Sequence, residues 1–178
     1  MTSLPQTIRW NAGELYLLDQ TKLPIEVIEE KQESVEQVWD SIKQLKVRGA
    51  PAIGVAAAYG LLVAIREQTA LNKKELLQEI EVKAEYLDSA RPTAVNLKWA
   101  LNRMLKSAKT FSGDDSKALY IHLEEEAIRI HEEDVQLCLK MGINAVLLIK
   151  EGMGVLTHCN AGALATTRIG TATAPMYL

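Results

Sequence analysis

The chain has 178 residues, enough for one good hydrophobic core, or for one domain and part of another. It is 48% hydrophobic and 24% charged with a formal net charge of −3, and its lysines and arginines are interleaved with acids, which excludes a nucleic-acid footprint. The apolar stretches near 50–65 and 143–149 are too short or too rich in alanine and glycine for a membrane span, and Met1-Thr2-Ser3-Leu4-Pro5 lacks the regions of a signal peptide.

The first segment reads as a small antiparallel sheet. Thr7-Ile8-Arg9-Trp10, Glu14-Leu15-Tyr16-Leu17-Leu18 and Ile25-Glu26-Val27-Ile28 are strand-like, with turns at Asn11-Ala12-Gly13 and Thr21-Lys22-Leu23-Pro24. So short a meander needs a helix over its apolar face. Helices follow. Ser34 and Gln37 form a capping box for a helix that buries Val35, Val38, Trp39, Ile42 and Leu45. Pro51 suits the first turn of the next, which runs to about Arg66 and is small-sided on nearly every face. Such a surface lets neighbouring backbones approach closely at a bundle centre. Asn72 and Glu75 open a third helix, carried by Leu76, Leu77, Ile80, Ala84 and Leu87. Ser89-Ala90-Arg91-Pro92-Thr93 interrupts it, and a fourth places Leu97, Leu101, Met104, Leu105 and Ala108 on one side. The fifth spans 116–150, with a break or kink near Gly142.

These elements make one domain over residues 1–150, a β-meander plus a five-helix bundle. Residues 151–178 open a second domain. Val155–Thr157 read as a buried strand, a helix begins near Ala163, and together they are half of a βαβ unit. A lone strand and helix cannot cover both faces of a parallel sheet, so the expected fold is α/β overall, with a truncated Rossmann-like second domain.

Three stretches carry the chemistry. Arg48-Gly49-Ala50-Pro51 leads straight into a helix start, where free N–H groups and a guanidinium fork suit a phosphate; the alternative is an interhelix turn with a surface arginine. Arg91-Pro92-Thr93 repeats the arrangement. Cys159 sits at the end of the expected strand, beside a helix start that favours its thiolate, or else it packs there as a small hydrophobe. Gly152-Met153-Gly154 precedes its strand, and Thr157 fills the third glycine's place, which rejects a dinucleotide cofactor. His131-Glu132-Glu133-Asp134-Val135 lacks a second histidine and is expected on a solvated face, and no metal site is expected. The two cysteines, Cys138 and Cys159, stand in different apolar settings, as free thiols of a cytoplasmic protein do.

Taken together, Val47-Arg48-Gly49-Ala50-Pro51-Ala52-Ile53-Gly54, Arg91-Pro92-Thr93-Ala94-Val95-Asn96-Leu97 and Thr157-His158-Cys159-Asn160-Ala161-Gly162 closely resemble the 5-methylthioribose-1-phosphate isomerase family of methionine salvage, within the translation initiation factor 2B-like superfamily. Thr171-Ala172-Thr173-Ala174-Pro175 extends the match. The resemblance covers the family's N-terminal half. It implies a homodimeric, cofactor-free enzyme that interconverts an aldose 1-phosphate and a ketose 1-phosphate. It further implies substrate-binding roles for Arg48, Gly49, Ala50 and Arg91 and a catalytic role for Cys159. The family's catalytic aspartate falls beyond Leu178, so the chain alone is expected to bind weakly and catalyse nothing, with the C-terminal half of the same protein as its missing partner. Ribose-1,5-bisphosphate isomerases and regulatory initiation factor 2B subunits share the architecture and are the alternatives. A regulatory subunit would lack the arginine-and-cysteine set that stands here.

Overall fold

The computed structural model describes residues 6–178; Met1–Pro5, on which the signal-peptide reading rests, lie outside the described residues. Strands β1 (Ile8–Asn11) and β2 (Glu14–Leu18) pair antiparallel, with Ile8 opposite Leu17 and Trp10 opposite Leu15. Ala12 and Gly13, at φ 50° and 78°, form the two-residue turn between them. Positive φ at both positions gives a turn whose twist matches that of the flanking strands. Pleating then turns Ile8, Leu15 and Leu17 inward, all buried, while Arg9 lies over the Tyr16 ring at 3.9 Å on the other face.

The third strand is not Ile25–Ile28 but β3, Glu29–Gln32, on the open side of β2. The N–H groups of Ile25 and Glu26 both donate to the Lys22 carbonyl at 3.1 Å, so the chain is still turning there. Ile25 and Val27 are accordingly 89% and 75% exposed. A polar edge strand is held instead by cross-strand charge pairs, Arg9 with Glu29 and Lys31 with Glu14. Charge along an edge also discourages pairing with another chain. Hydrophobicity alone pointed to the wrong four residues.

Five helices follow, as the periodicity predicts: α1 (Val35–Lys43), α2 (Ala50–Ile65), α3 (Lys73–Asp88), α4 (Val95–Thr110) and α5 (Ser116–Val146). The Ser34 hydroxyl accepts from the Gln37 N–H, but the Gln37 side chain turns to the Glu33 N–H, so only half of the expected box forms. At α3 the Asn72–Glu75 box is complete. Helix α2 is the centre of the fold. Contrary to the sequence expectation, the helical run Ala50–Gln68 that contains it is long and apolar enough to cross a membrane, yet α2 is buried by the other four helices and by the sheet. Leu61, Leu62 and Ile65 are each fully buried, which stabilises by about 1.5–3 kcal/mol per side chain. Its small residues set the approach distances. A Cβ on Gly54 would lie 2.9 Å from the Asn96 carbonyl oxygen of α4, and one on Gly60 would lie 2.5 Å from a Val38 methyl of α1.

Helix α5 runs unbroken through Gly142, where a break or kink was expected. The missing side chain serves packing instead. A Cβ there would lie 2.7 Å from Leu178 and 3.2 Å from Ala174. The strand expected at Val155–Thr157 is absent. Residues 151–160 are irregular and exposed, because a strand needs a partner for its backbone groups and none of the described residues supplies one. The helix expected from Ala163 is likewise replaced by two 3-10 turns, Ala163–Ala165 and Ala174–Tyr177. This segment folds back on the helices. The Thr7 hydroxyl donates to the Ala163 carbonyl at 2.9 Å, and the Thr167 N–H and hydroxyl both donate to Asp134 of α5, at 2.8 and 2.6 Å.

Candidate anion-binding site

Arg48 stands two residues before α2, whose first turn holds Pro51 as expected. Arg91-Pro92-Thr93, however, is not itself a helix start: the Ala94 N–H donates to the Arg91 carbonyl at 2.9 Å, and α4 begins after that turn, at Val95. Gly49 is the N-cap of α2 at φ 96°, a backbone setting that side-chain-bearing residues rarely adopt. Ala165 packs where a side chain would be, so the position excludes alanine twice over. Helices α1, α3 and α5 are capped by the side chains of Ser34, Asn72 and Asp115. Helices α2 and α4 have no side-chain cap. Their first-turn N–H groups are left to solvent or to a ligand, and the helix dipole makes that ligand an anion.

The two uncapped starts open on one cavity. Pro51, Gly54 and Val55 of α2 and Val95, Asn96 and Trp99 of α4 line a space of about 390 Å³, closed by Ile130, Leu137 and Met141 of α5. The close fit of Gly54 against Asn96 is what brings the helices together at this end. The lining is mainly apolar with a few polar groups, the usual make-up of a small-molecule site. Its two carboxylates are already engaged. Asp134 accepts from Thr167, and Glu133 is held below the usual carboxylate range by its hydrogen bonds from Arg103. Arg103 also donates to Glu126, a buried acid whose burial is outweighed by Arg103 and Arg129, so it too stays ionised.

None of the five residues expected from sequence lines this cavity. Gly49 and Ala50 open α2 one turn before its Gly54 and Val55, Arg48 turns to Gln20, and Arg91 stands in the turn that leads into α4. Cys159 lies in the exposed 151–160 segment at φ 67° and lines none of the described cavities. Among the described residues no group of three or more His, Cys, Asp or Glu side chains is placed to hold a metal ion. His131 is not on a solvated face. It is half-buried, its Nδ1 lies 3.1 Å from the Tyr59 hydroxyl, and burial pushes its pKa down. Sequence reasoning also passed over Trp99 of the lining, and Gln20, which reaches Arg48 from the end of β2. Trp99 had no signal beyond its helical spacing, and Gln20 none at all.

Residues 46–175 match the Initiation factor 2 subunit family. The chain belongs to that family. It is 51% identical over 173 residues to a 5-deoxyribose 1-phosphate isomerase of Clostridium botulinum, and 51% identical over 171 residues to one of Bacillus anthracis. Each alignment covers 96% of this chain and 50% or 49% of the relative, so the chain spans about half the length of the curated relatives it matches. Among solved structures, the 5-methylthioribose 1-phosphate isomerase of Pyrococcus horikoshii superposes with a TM-score of 0.90 at 42% identity, over 97% of this chain and 48% of that one. A translation initiation factor eIF-2B subunit delta from A. fulgidus superposes with a TM-score of 0.87 at 41% identity, over 97% and 50%. The family resemblance of the three motifs and the family match agree.

Proposed function

We propose that this chain supplies the phosphate-binding part of an aldose–ketose isomerase acting on a pentose 1-phosphate with a non-phosphorylated C5. The observation that carries the reading is the pair of uncapped helix starts whose first turns line one cavity, with Arg48 and Arg91 in the segments that lead into them. The relatives named 5-deoxyribose 1-phosphate isomerase support the reaction class. The cavity supports the C5 preference: Val95, Trp99, Ile130, Leu137 and Met141 suit a methyl or methylthio group and offer no cation to a second phosphate. The relatives' name ranks 5-deoxyribose 1-phosphate first. The P. horikoshii likeness keeps 5-methylthioribose 1-phosphate, and with it methionine salvage, as the second substrate.

The reaction is internally balanced. The ring C1–O4 bond breaks, the C2 hydrogen moves to C1, and the O2 proton goes to O4, leaving a C2 carbonyl. Phosphate bound at the helix starts would anchor C1 while charge develops on oxygen in a water-poor pocket. Within this reading Cys159 is a proton carrier brought to the cavity by residues outside this chain, and 151–178 opens the second domain of the whole protein. The whole protein works as a homodimer in the cytoplasm, and no step calls for a cofactor. The test is ketose formation from each sugar phosphate, by the chain alone and mixed with the C-terminal half of the B. anthracis relative. Turnover of the two 5-deoxy sugars on mixing is expected. Turnover of the bisphosphate alone, or of none, overturns the reading, and the latter favours a regulatory binding subunit. In the reassembled enzyme Arg91→Ala should lower kcat/KM by roughly ten- to a hundredfold, the equivalent of about 1.5–3 kcal/mol for a hydrogen bond to a charged group.

A further inference from the structure

We propose that Gln20 is the positioning residue for Arg48, a role that rests on the anion-site reading above. Gln20 follows the end of β2 and is only 2% exposed. Buried amide groups must be paired, and its backbone N–H and both heteroatoms of its side chain have partners. Its N–H donates to the Lys46 carbonyl at 2.9 Å. Its side-chain Nε2 donates to the Leu164 carbonyl at 2.8 Å, and its Oε1 accepts from Arg48 Nε at 3.3 Å. The neighbouring Asp19 fixes the same strand end, its N–H donating to the Ile28 carbonyl and its carboxylate accepting from Thr21.

Which nitrogen of Arg48 is held matters. The exposed Arg48 side chain has many rotamers, and an unheld guanidinium loses their entropy when an anion binds. Gripping Nε removes part of that freedom in advance and leaves the two terminal nitrogens free for a bidentate anion. The same carboxamide ties down Leu164, whose neighbour Ala165 lies against Gly49 at the α2 start. One side chain thus sets the guanidinium relative to the first N–H groups of α2. A carboxamide does both tasks at once, accepting from Arg48 with its oxygen and donating to Leu164 with its nitrogen, which an apolar side chain of the same length cannot do.

The test uses inorganic phosphate as probe, read by chemical-shift titration of the 178-residue chain, with a double-mutant cycle. Gln20→Met should weaken phosphate binding about tenfold, the scale of one charge-assisted hydrogen bond. In the Arg48→Ala background the same substitution should change it less than about twofold, since a residue acting through Arg48 has nothing left to act on. Equal losses in both backgrounds would show a merely structural role and overturn the proposal. So would unchanged binding in Gln20→Met. Absence of phosphate binding by the unsubstituted chain would overturn the anion-site reading, and the role of Gln20 with it. Should Gln20→Met fail to fold, 15N relaxation of Arg48 Nε in the unsubstituted chain decides. An order parameter near the rigid-backbone level of about 0.85 supports the proposal, and one below about 0.6 refutes it.

Discussion

Gly49→Ala tests the site's construction through stability alone. At φ 96° and ψ 134° the new side chain meets a backbone setting that costs about 1–3 kcal/mol for a non-glycine residue. Its Cβ would also lie 2.4 Å from Ala165 Cα, 2.5 Å from Ala165 O and 2.6 Å from Ala165 Cβ. No rotamer relieves a clash with backbone, so either α2 or the 162–165 loop must move. Moving the loop sacrifices the Gln20–Leu164 and Thr7–Ala163 hydrogen bonds, at about 0.5–1.5 kcal/mol each. A loss of about 2–4 kcal/mol is expected, because the chain takes the cheaper mixture of the two responses. At about 2–4 °C per kcal/mol for a protein of this size, Tm should fall by roughly 5–15 °C. Gly154→Ala is the control, since a Cβ at Gly154 meets nothing within 4 Å and its φ is ordinary. Thermal unfolding by circular dichroism reads both. A Gly49→Ala variant within 1–2 °C of Gly154→Ala, on the same roughly 2–4 °C per kcal/mol scale, would refute the account of this turn.

Thiol labelling should separate the two cysteines. Cys159 is exposed and should react in the native chain at pH 8, whereas Cys138 is buried, its thiol pushed up to about 11, and should react only on unfolding. Native labelling of both would contradict the packing of α5. His131 predicts an acid-sensitive stability. Burial lowers its folded pKa below the ordinary value of about 6.5, so the unfolded chain takes up its proton first. Stability is therefore full above about pH 6.5 and is lost as pH falls from there towards the depressed value. His131→Gln keeps an acceptor for Tyr59 and should flatten the fall of Tm between pH 7.5 and 5.5; an unchanged slope would clear His131 of the effect.

Much of this was legible in the sequence because it is local. Capping signals at Ser34 and Asn72, and helical spacing from Val35 to Ala108, describe each element by itself. The small-residue run 52–60 announced its own burial, since only a central helix needs backbone approach on every side. The two turns at Arg48 and Arg91 were visible as motifs, and their family resemblance held. What failed depends on partners far along the chain. Val155–Thr157 has strand-like residues, but a strand is made by its neighbours, and none of the described residues provides one. Ile25–Ile28 is more apolar than Glu29–Gln32, yet the turn at Lys22 uses up its backbone and the charge pairs select the later segment. His131 looked solvated beside three acids, because nothing local says that Tyr59 waits on α2. Gln20 carried no pattern whatever. Its importance lies in bonds to Arg48 and Leu164, far along the chain in the latter case.

The central claim is that two helix starts and their arginines form one phosphate site. It is tested most directly by 1H–15N chemical-shift mapping with 5-deoxyribose 1-phosphate and, separately, with 5-deoxyribose. The account predicts that the amides of Gly49, Ala50 and Ala52 and those of Val95, Asn96 and Leu97 shift together with the phosphorylated sugar, along one saturation curve. The unphosphorylated sugar should leave them in place, and Arg48→Ala or Arg91→Ala should weaken both sets alike. Shifts at only one helix start, identical shifts with both sugars, or a response confined to other parts of the surface would contradict it.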